Sequence, residues 1–198
     1  MTSPNPNNTD SPRGLAFALS AYVMWGLLPL YMKALSHIPA AEVVAHRVIW
    51  AVPIAGLLLI VLRRTDDLVA ALRSPKTLMM ACVTAALISV NWGIYVWSIA
   101  NGYALDAALG YYINPLFSVL LGSVLLGERP NGVQMVAIAL AAGAVVVLTV
   151  AAGGLPLVAV GLTLSWGFYA FFKKSLPVGP NQGFMLEVLI LLPVALGY

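Results

Sequence analysis

The chain has 198 residues, of which 61% are hydrophobic and only 9% are charged, against about 25% charged residues in an average soluble domain. A soluble protein of this size needs a charged exterior, and long runs such as residues 48–62 and 132–150 provide almost none. The composition therefore excludes an ordinary soluble domain and predicts helices that lie in lipid. The formal net charge of +3 is less informative than the placement of the basic residues.

The chain divides into a polar leader and a series of apolar segments. Residues 1–13 are rich in Asn, Pro, Ser and Thr, which predicts a disordered cytoplasmic leader rather than a signal peptide. A membrane-spanning helix needs about 20 apolar residues. Segments of this kind cover residues 14–36, 42–62, 77–99, 104–126, 132–150 and 155–176, and a seventh begins near Gln182. The predicted fold is an all-α multi-helix transmembrane bundle in which neighbouring helices run antiparallel.

The positions of the basic residues predict the orientation of the bundle. Lys and Arg near helix ends are retained in the cytoplasm. With the N-terminus inside, eight of the ten basic residues fall on the cytoplasmic side, namely Arg13, Arg63, Arg64, Arg73, Lys76, Arg129, Lys173 and Lys174. These residues mark the ends of spans, and no nucleic-acid partner is predicted.

The second apolar segment carries the densest group of ionisable residues. Glu42 and His46 stand four residues apart and share a helical face, while Arg47 lies about 100° further around the helix. One interpretation is a charged cavity wall, where Arg47 holds an anionic group and Glu42 and His46 change protonation. The other places all three at the membrane interface, with Arg47 reaching outward. Glu42 and Glu187 are the candidate partners for Arg47.

The third segment combines polar and aromatic side chains. Asn91 and Tyr95 lie at helical spacing, and Trp92 occupies an adjoining sector. Hydrogen-bonding groups among flat aromatic surfaces suit the binding of an organic solute. The alternative is hydrogen bonding between helices together with an interfacial belt of Trp and Tyr.

The fourth segment has a stripe of small residues, because Gly110, Asn114, Ser118 and Gly122 recur every four residues. Such a stripe lets another helix approach closely, and packing is its predicted role. Asn114 precedes Pro115, which removes a backbone donor and frees a carbonyl that a cavity or a partner must satisfy. Asn114 is therefore also a candidate site residue.

An internal repeat is indicated when Trp25-Gly26 is aligned with Trp166-Gly167, an offset of 141 residues. The same offset matches further identical pairs, namely Lys33 with Lys174, Leu35 with Leu176 and Pro39 with Pro180. Because five helices separate the copies, the second copy must enter the membrane from the opposite side, as in the inverted repeats of secondary transporters.

The repeat predicts that residues 14–150 form a first five-helix unit and that residues 155–198 form the start of a truncated second unit. The inferred cavity would then lack half of its wall, leaving Asn91 and Arg47 beside an open groove. Such a chain is expected to insert but not to transport, and to be unstable or to form a homo-oligomer that covers these groups.

Several of these segments resemble the RarD branch of the EamA drug/metabolite transporter family, and the resemblance covers nearly the whole chain after residue 13. Its specific part combines Ala45-His46-Arg47 with residues 109–116, Leu-Gly-Tyr-Tyr-Ile-Asn-Pro-Leu. Further matching stretches are residues 26–31, 42–47, 91–93, 109–121 and 186–198. The chain departs from the pattern at Ala108, where Ser is common, and at Tyr112, where Phe is common.

This resemblance implies ten helices in two inverted five-helix repeats, alternating access, no ATP-binding domain and a place in the bacterial inner membrane. The predicted function is secondary transport of a small organic metabolite or drug, with membrane lipid and the solute as partners. The predicted substrate-binding residues are Glu42, His46, Arg47, Asn91, Trp92, Tyr95, Asn114 and Glu187.

Two other classes of function remain open from the residues alone. The first is a structural or regulatory membrane subunit that moves no solute. The second is a membrane enzyme, which the sequence disfavours because it has no recognisable Ser/His/Asp set, metal-ligand cluster or phosphate-binding loop. No catalytic residue, cofactor or metal is predicted.

Overall fold

The computed structural model describes residues 12–127, 129–151, 154 and 156–198, and these residues form helices and connections without any strand. The predicted all-α fold is therefore confirmed. The eight helices are α1 Pro12–Ala34, α2 Ala40–Val61, α3 Thr65–Leu72, α4 Pro75–Ala100, α5 Ala104–Leu126, α6 Gly132–Ala151, α7 Leu157–Ser175 and α8 Pro180–Leu196.

The ends of the long helices lie within two residues of the predicted apolar segments. The prediction missed α3, which lies inside the connection at residues 63–76. This helix has only eight residues and carries Asp66 and Asp67 in its first turn, where carboxylates are favourable. The predicted leader, residues 1–13, lies outside the described residues except for its last two, which belong to α1.

Within the part of the chain that the structure describes, four helices are long and apolar enough to cross a membrane, at Gly14–Ala34, Ala40–Val61, Pro75–Ala100 and Ala104–Leu125. α7 and α8 meet this criterion only together, as a pair bent by 119° at a short break, so that they form a broken span or a re-entrant loop. In α6 the apolar stretch Gly132–Val147 is shorter. Among the described residues, the count is thus four or up to five spans, below the six complete spans that the sequence predicts.

Helix α4 lies at the centre of the described bundle. It packs against α2, α7 and α8, while α5 packs along α7 and α2 packs along α8. Val48, Trp92 and Val188 belong to one buried cluster that joins α2, α4 and α8. By contrast, only 6% of the spanning window of α1 is buried, against 39% for α4. The candidate site therefore lies where α2, α5, α7 and α8 surround α4.

Helices α5 and α7 approach each other closely at Gly110. A β-carbon at this position would lie 2.9 Å from the carbonyl oxygen of Ala159, so a larger residue does not fit. The Thr163 hydroxyl donates a hydrogen bond of 3.0 Å to the Gly110 carbonyl. The predicted packing role of the small-residue stripe is confirmed at Gly110.

The segment around α3 and the connection between α7 and α8 lie at the same end of the bundle. The Gln182 side-chain amide donates a 3.1 Å hydrogen bond to the Asp67 carboxylate. This contact joins the basic segment at residues 63–76 to the end of α7, where Lys173 and Lys174 lie. The structure thus groups two basic regions that the sequence assigned to one side of the membrane.

The helix ends also repeat at nearly the offset found in the sequence. α1 ends at Ala34 and α7 ends at Ser175, 141 residues later, while α2 begins at Ala40 and α8 at Pro180. The division of the chain into residues 14–150 and 155–198 as two repeats stays a prediction.

Candidate functional site

Asn91 is the polar centre of the site and is 0% exposed. Its amide nitrogen donates to the Ser165 hydroxyl at 2.9 Å and to the Leu162 carbonyl at 3.2 Å. Its amide oxygen accepts a 2.8 Å hydrogen bond from the Tyr111 hydroxyl. The expectation that Asn91 lies beside an open groove is wrong, because α7 packs across α4 at this level. One side chain of α4 thereby joins α5 and α7.

A row of four aromatic rings continues from this centre. Tyr95 and Tyr111 meet edge to face with ring centroids 5.7 Å apart, and Tyr111 meets Trp166 at 6.0 Å. Trp166 in turn lies 5.5 Å from Tyr169. We call Tyr95, Tyr111, Trp166 and Tyr169 the aromatic row. Because its rings come from α4, α5 and α7, the row is a continuous series of ring contacts across three helices.

Arg47 of α2 joins the site at Trp92 of α4. Its guanidinium lies 4.2 Å from the centroid of the Trp92 ring, which is within the range of a cation–π interaction. Tyr95 and Tyr111 are close enough to interact with it electrostatically. The Arg47 residue remains exposed in the described part of the chain.

Arg47 does not pair with either predicted carboxylate. Within the described residues, no Asp or Glu forms an ion pair with Arg47, and Glu187 pairs with Lys173 instead. The hypothesis that Glu187 is the partner of Arg47 is wrong because α7 places an ammonium group closer to that carboxylate. Glu42 is half-buried and His46 is exposed, and their predicted role in solute binding stays a prediction.

Asn114 is buried in α5, next to Pro115, and its side-chain oxygen has no hydrogen-bond partner among the described residues. The Ser118 hydroxyl donates to the Asn114 backbone carbonyl at 3.0 Å. A buried carbonyl oxygen without a donor is unfavourable and calls for a group that would satisfy it. This geometry is compatible with the predicted role of Asn114, which stays a prediction.

Glu187 forms a second polar group at the far end of the aromatic row. Lys173 donates to one carboxylate oxygen at 2.6 Å and the Tyr169 hydroxyl donates to the other at 3.2 Å. Tyr169 therefore links the Glu187 carboxylate to Trp166 and the rest of the row. The predicted site residues thus divide into a group around Asn91 and Trp92 and a separate group around Glu187.

Five residues that complete these two groups were not predicted from the sequence, namely Tyr111, Ser165, Trp166, Tyr169 and Lys173. Two of them carried a usable signal. Tyr111 lies inside the specific motif at residues 109–116, and Trp166 aligns with Trp25 in the internal repeat. Lys173 was assigned to the cytoplasmic end of a helix, and only the tertiary contact shows that its side chain turns back towards Glu187.

The fold and the site together define a polytopic helical membrane protein with polar and aromatic groups placed within its bundle. The EamA-like transporter family model matches residues 12–150. The chain therefore belongs to the EamA-like transporter family, and the predicted family is confirmed.

The chain is similar to several relatives along nearly its whole length. An uncharacterized transporter of Vibrio cholerae is 42% identical over 193 residues, which cover 98% of this chain and 64% of that protein. The RarD protein of Streptomyces exfoliatus is 40% identical over 185 residues, covering 93% of this chain and 59% of that protein. The RarD protein of Escherichia coli K12 is 38% identical over 186 residues, covering 94% and 63%.

The chain spans about three fifths of the length of these relatives. No solved structure matches it.

Proposed function

We propose that the protein is a secondary transporter that moves a small organic solute across the bacterial inner membrane. Family membership supports the general class, since the matching model is that of the EamA-like transporter family and the Vibrio cholerae relative is named an uncharacterized transporter.

The observation that carries the proposal is the arrangement of Arg47 on Trp92. The Arg47 guanidinium lies 4.2 Å from an aromatic ring, belongs to an exposed residue and has no ion pair among the described residues, so it is available to an anionic group of a solute. Arginine binds a carboxylate through two parallel hydrogen bonds, which gives both affinity and orientation. We therefore propose an organic anion as the preferred solute.

The aromatic row adds a second recognition element. Tyr95 and Tyr111 lie near Arg47, and buried Asn91 fixes the Tyr111 hydroxyl at 2.8 Å. A ring or other flat apolar part of the solute would gain contact area on these rings while its anionic group binds Arg47. The proposed solute is thus a small organic anion with a flat apolar portion.

The proposed orientation places the N-terminus and the α3 segment in the cytoplasm. The basic residues in both regions support it, and the Asp67–Gln182 contact supports placing α3 and the end of α7 on one side.

Uptake and efflux measurements on proteoliposomes test this proposal. Aromatic carboxylates, aromatic amines and chloramphenicol serve as probe solutes, the last because one relative is named a chloramphenicol-sensitive protein. We expect the aromatic carboxylates to be moved fastest. Arg47→Ala should lower their affinity roughly tenfold or more, since a hydrogen bond to a charged group contributes about 1.5–3 kcal/mol.

Two matched variants make the result specific. Arg47→Lys keeps the charge but loses the paired hydrogen bonds and should give an intermediate loss. Arg64→Ala removes an exposed arginine between α2 and α3 and should leave transport unchanged. If Arg47→Ala lowers membrane abundance and flux in equal proportion, Arg47 is an interfacial residue. If no probe moves at all, a structural or regulatory subunit becomes the better interpretation.

A further inference from the structure

Glu187 has an enclosed carboxylate and lies away from both ends of its helix. It lies in the middle of the 17-residue α8, and its residue is 0% exposed. Charged side chains within membrane-spanning segments are costly, and they commonly mark proton or ion pathways. The binding of an organic anion at Arg47 leaves Glu187 without an assigned role.

Both carboxylate oxygens of Glu187 are occupied by donors from α7. Lys173 binds one oxygen at 2.6 Å, and the Tyr169 hydroxyl binds the other at 3.2 Å. We call these three residues the Glu187 cluster. The cluster joins α7 to α8 across a bend of 119°. Any movement of one helix against the other must therefore act on this ion pair.

The two charged partners differ in their access to the surroundings. The side chain of Lys173 is 20% exposed, whereas that of Glu187 is 1% exposed. Gly183 provides the space for the ammonium group, because a β-carbon there would lie 2.8 Å from the Lys173 nitrogen. Lys173 also lies in the last turn of α7, close to the end of the helix. The Lys173 side chain can therefore move towards solvent, whereas the Glu187 carboxylate stays enclosed.

We propose that Glu187 is a proton-binding site and that Lys173 is the cation that the proton displaces. A proton from water adds to the carboxylate oxygen that Lys173 occupied, and the ammonium keeps its three protons and moves towards solvent. Tyr169 continues to donate to the other oxygen. When the ammonium returns, the proton goes back to water. The three residues carry no net charge while the ion pair is intact and a charge of +1, on the displaced ammonium, after the proton binds. In the protonated state α7 is no longer held to α8 by charge.

Within the described residues, the other ionisable groups on the helices around α8 form no hydrogen bond or ion pair with Glu187. On α3, Asp67 binds Gln182 rather than the Glu187 cluster. In the described part of the chain, no hydrogen bond or ion pair joins Glu187 to the ionisable side chains of α2 and α4, which are Glu42, His46, Arg47, Lys76, Cys82 and Tyr95. Lys173 and Tyr169 are therefore the groups that control the charge of Glu187.

Infrared difference spectroscopy on the protein in lipid nanodiscs tests proton binding without any solute. Acidification should produce the carbonyl band of a protonated carboxyl group, and Glu187→Gln should lack this band. Lys173→Met should raise the proton affinity of the site roughly 10- to 1,000-fold, because it removes a cation in direct contact. Lys174→Met, which changes the exposed neighbouring lysine, should leave the titration unchanged.

A second variant covers the case in which Glu187→Gln does not fold. Gly183→Ala keeps both charged residues but obstructs the ammonium, so it should shift the titration in the same direction as Lys173→Met. The proposal is overturned if no carboxyl band forms before the protein unfolds. It is also overturned if the band is present and neither Lys173→Met nor Gly183→Ala shifts it.

Coupling of this exchange to solute movement rests on the proposed transport function, whereas proton binding does not. In proteoliposomes, an imposed pH gradient should drive flux of an aromatic carboxylate, and Glu187→Gln should retain exchange but lose the gradient dependence. A correct infrared titration without any solute flux would refute transport and support the proton site. Flux that does not depend on the pH gradient, in a protein whose Glu187 does not titrate, would support transport and refute the proton site.

Discussion

At the residue scale, the polar chemistry of this protein is concentrated in a few side chains that form hydrogen bonds with one another. Asn91 uses both ends of its amide, and its partners lie on two other helices. The Asn91 position was predictable because a polar residue in an apolar helix stands out. Its partners were not, because Tyr111 and Ser165 are separated from it by 20 and 74 residues.

Replacing Asn91 by Leu should destabilise the bundle by about 1–3 kcal/mol, because the half-buried Tyr111 hydroxyl and the buried Ser165 hydroxyl lose a partner. Unfolding of the protein in bicelles measures this change. Ser98→Ala is the matched control, since Ser98 is equally buried but its hydroxyl bonds only a carbonyl of its own helix. We expect the control to cost less. Equal costs would mean that the bonds between helices contribute nothing.

At the element scale, the sequence placed the long helices accurately but not their partners. Apolar length predicts where a span begins and ends, because lipid thickness sets that length. It does not predict that α5 packs along α7 or that α2 packs along α8. The stripe of small residues signalled a close contact at Gly110, but only the structure identifies Ala159 as the neighbour. The short helix α3 was missed because its eight residues are far fewer than the roughly 20 that define a span.

Gly110→Ala should destabilise the contact between α5 and α7 by about 1–3 kcal/mol, because the added methyl group meets the Ala159 carbonyl. This loss should exceed the gain of about 1 kcal/mol that Ala offers over Gly in a helix. Gly93→Ala is the control, since a β-carbon there has no neighbour within 4 Å. Unfolding should show Gly93→Ala to be neutral or stabilising. If Gly110→Ala leaves the free energy of unfolding unchanged, α5 and α7 move apart at this contact without a loss of stability.

At the scale of the whole molecule, burial is uneven. α4 is surrounded by neighbours, whereas α1 exposes large apolar side chains such as Tyr22, Trp25 and Leu30. In a membrane, lipid or further protein covers such a surface. Composition could predict that the chain lies in a membrane, but not which helix lies at the centre, because every long helix is apolar.

The orientation of the molecule can be tested with a single cysteine at Thr65 in a Cys82→Ser background. We expect an impermeant thiol reagent not to label it from outside intact spheroplasts, since α3 follows two basic residues, Arg63 and Arg64. Asn101→Cys, between α4 and α5, is the positive control and should be labelled from outside. Labelling of the Thr65 position without permeabilisation would reverse the proposed topology.

The Asn91 amide has a mechanical consequence. Because its hydrogen bonds tie α4 to α5 and α7 at the same level, these three helices cannot slide past one another without breaking all of those bonds together. They should therefore move as one rigid body. If the site is to open to the other side of the membrane, a hinge is then needed outside this rigid body. The connection between α7 and α8, where one ion pair spans a bend of 119°, is placed to provide it.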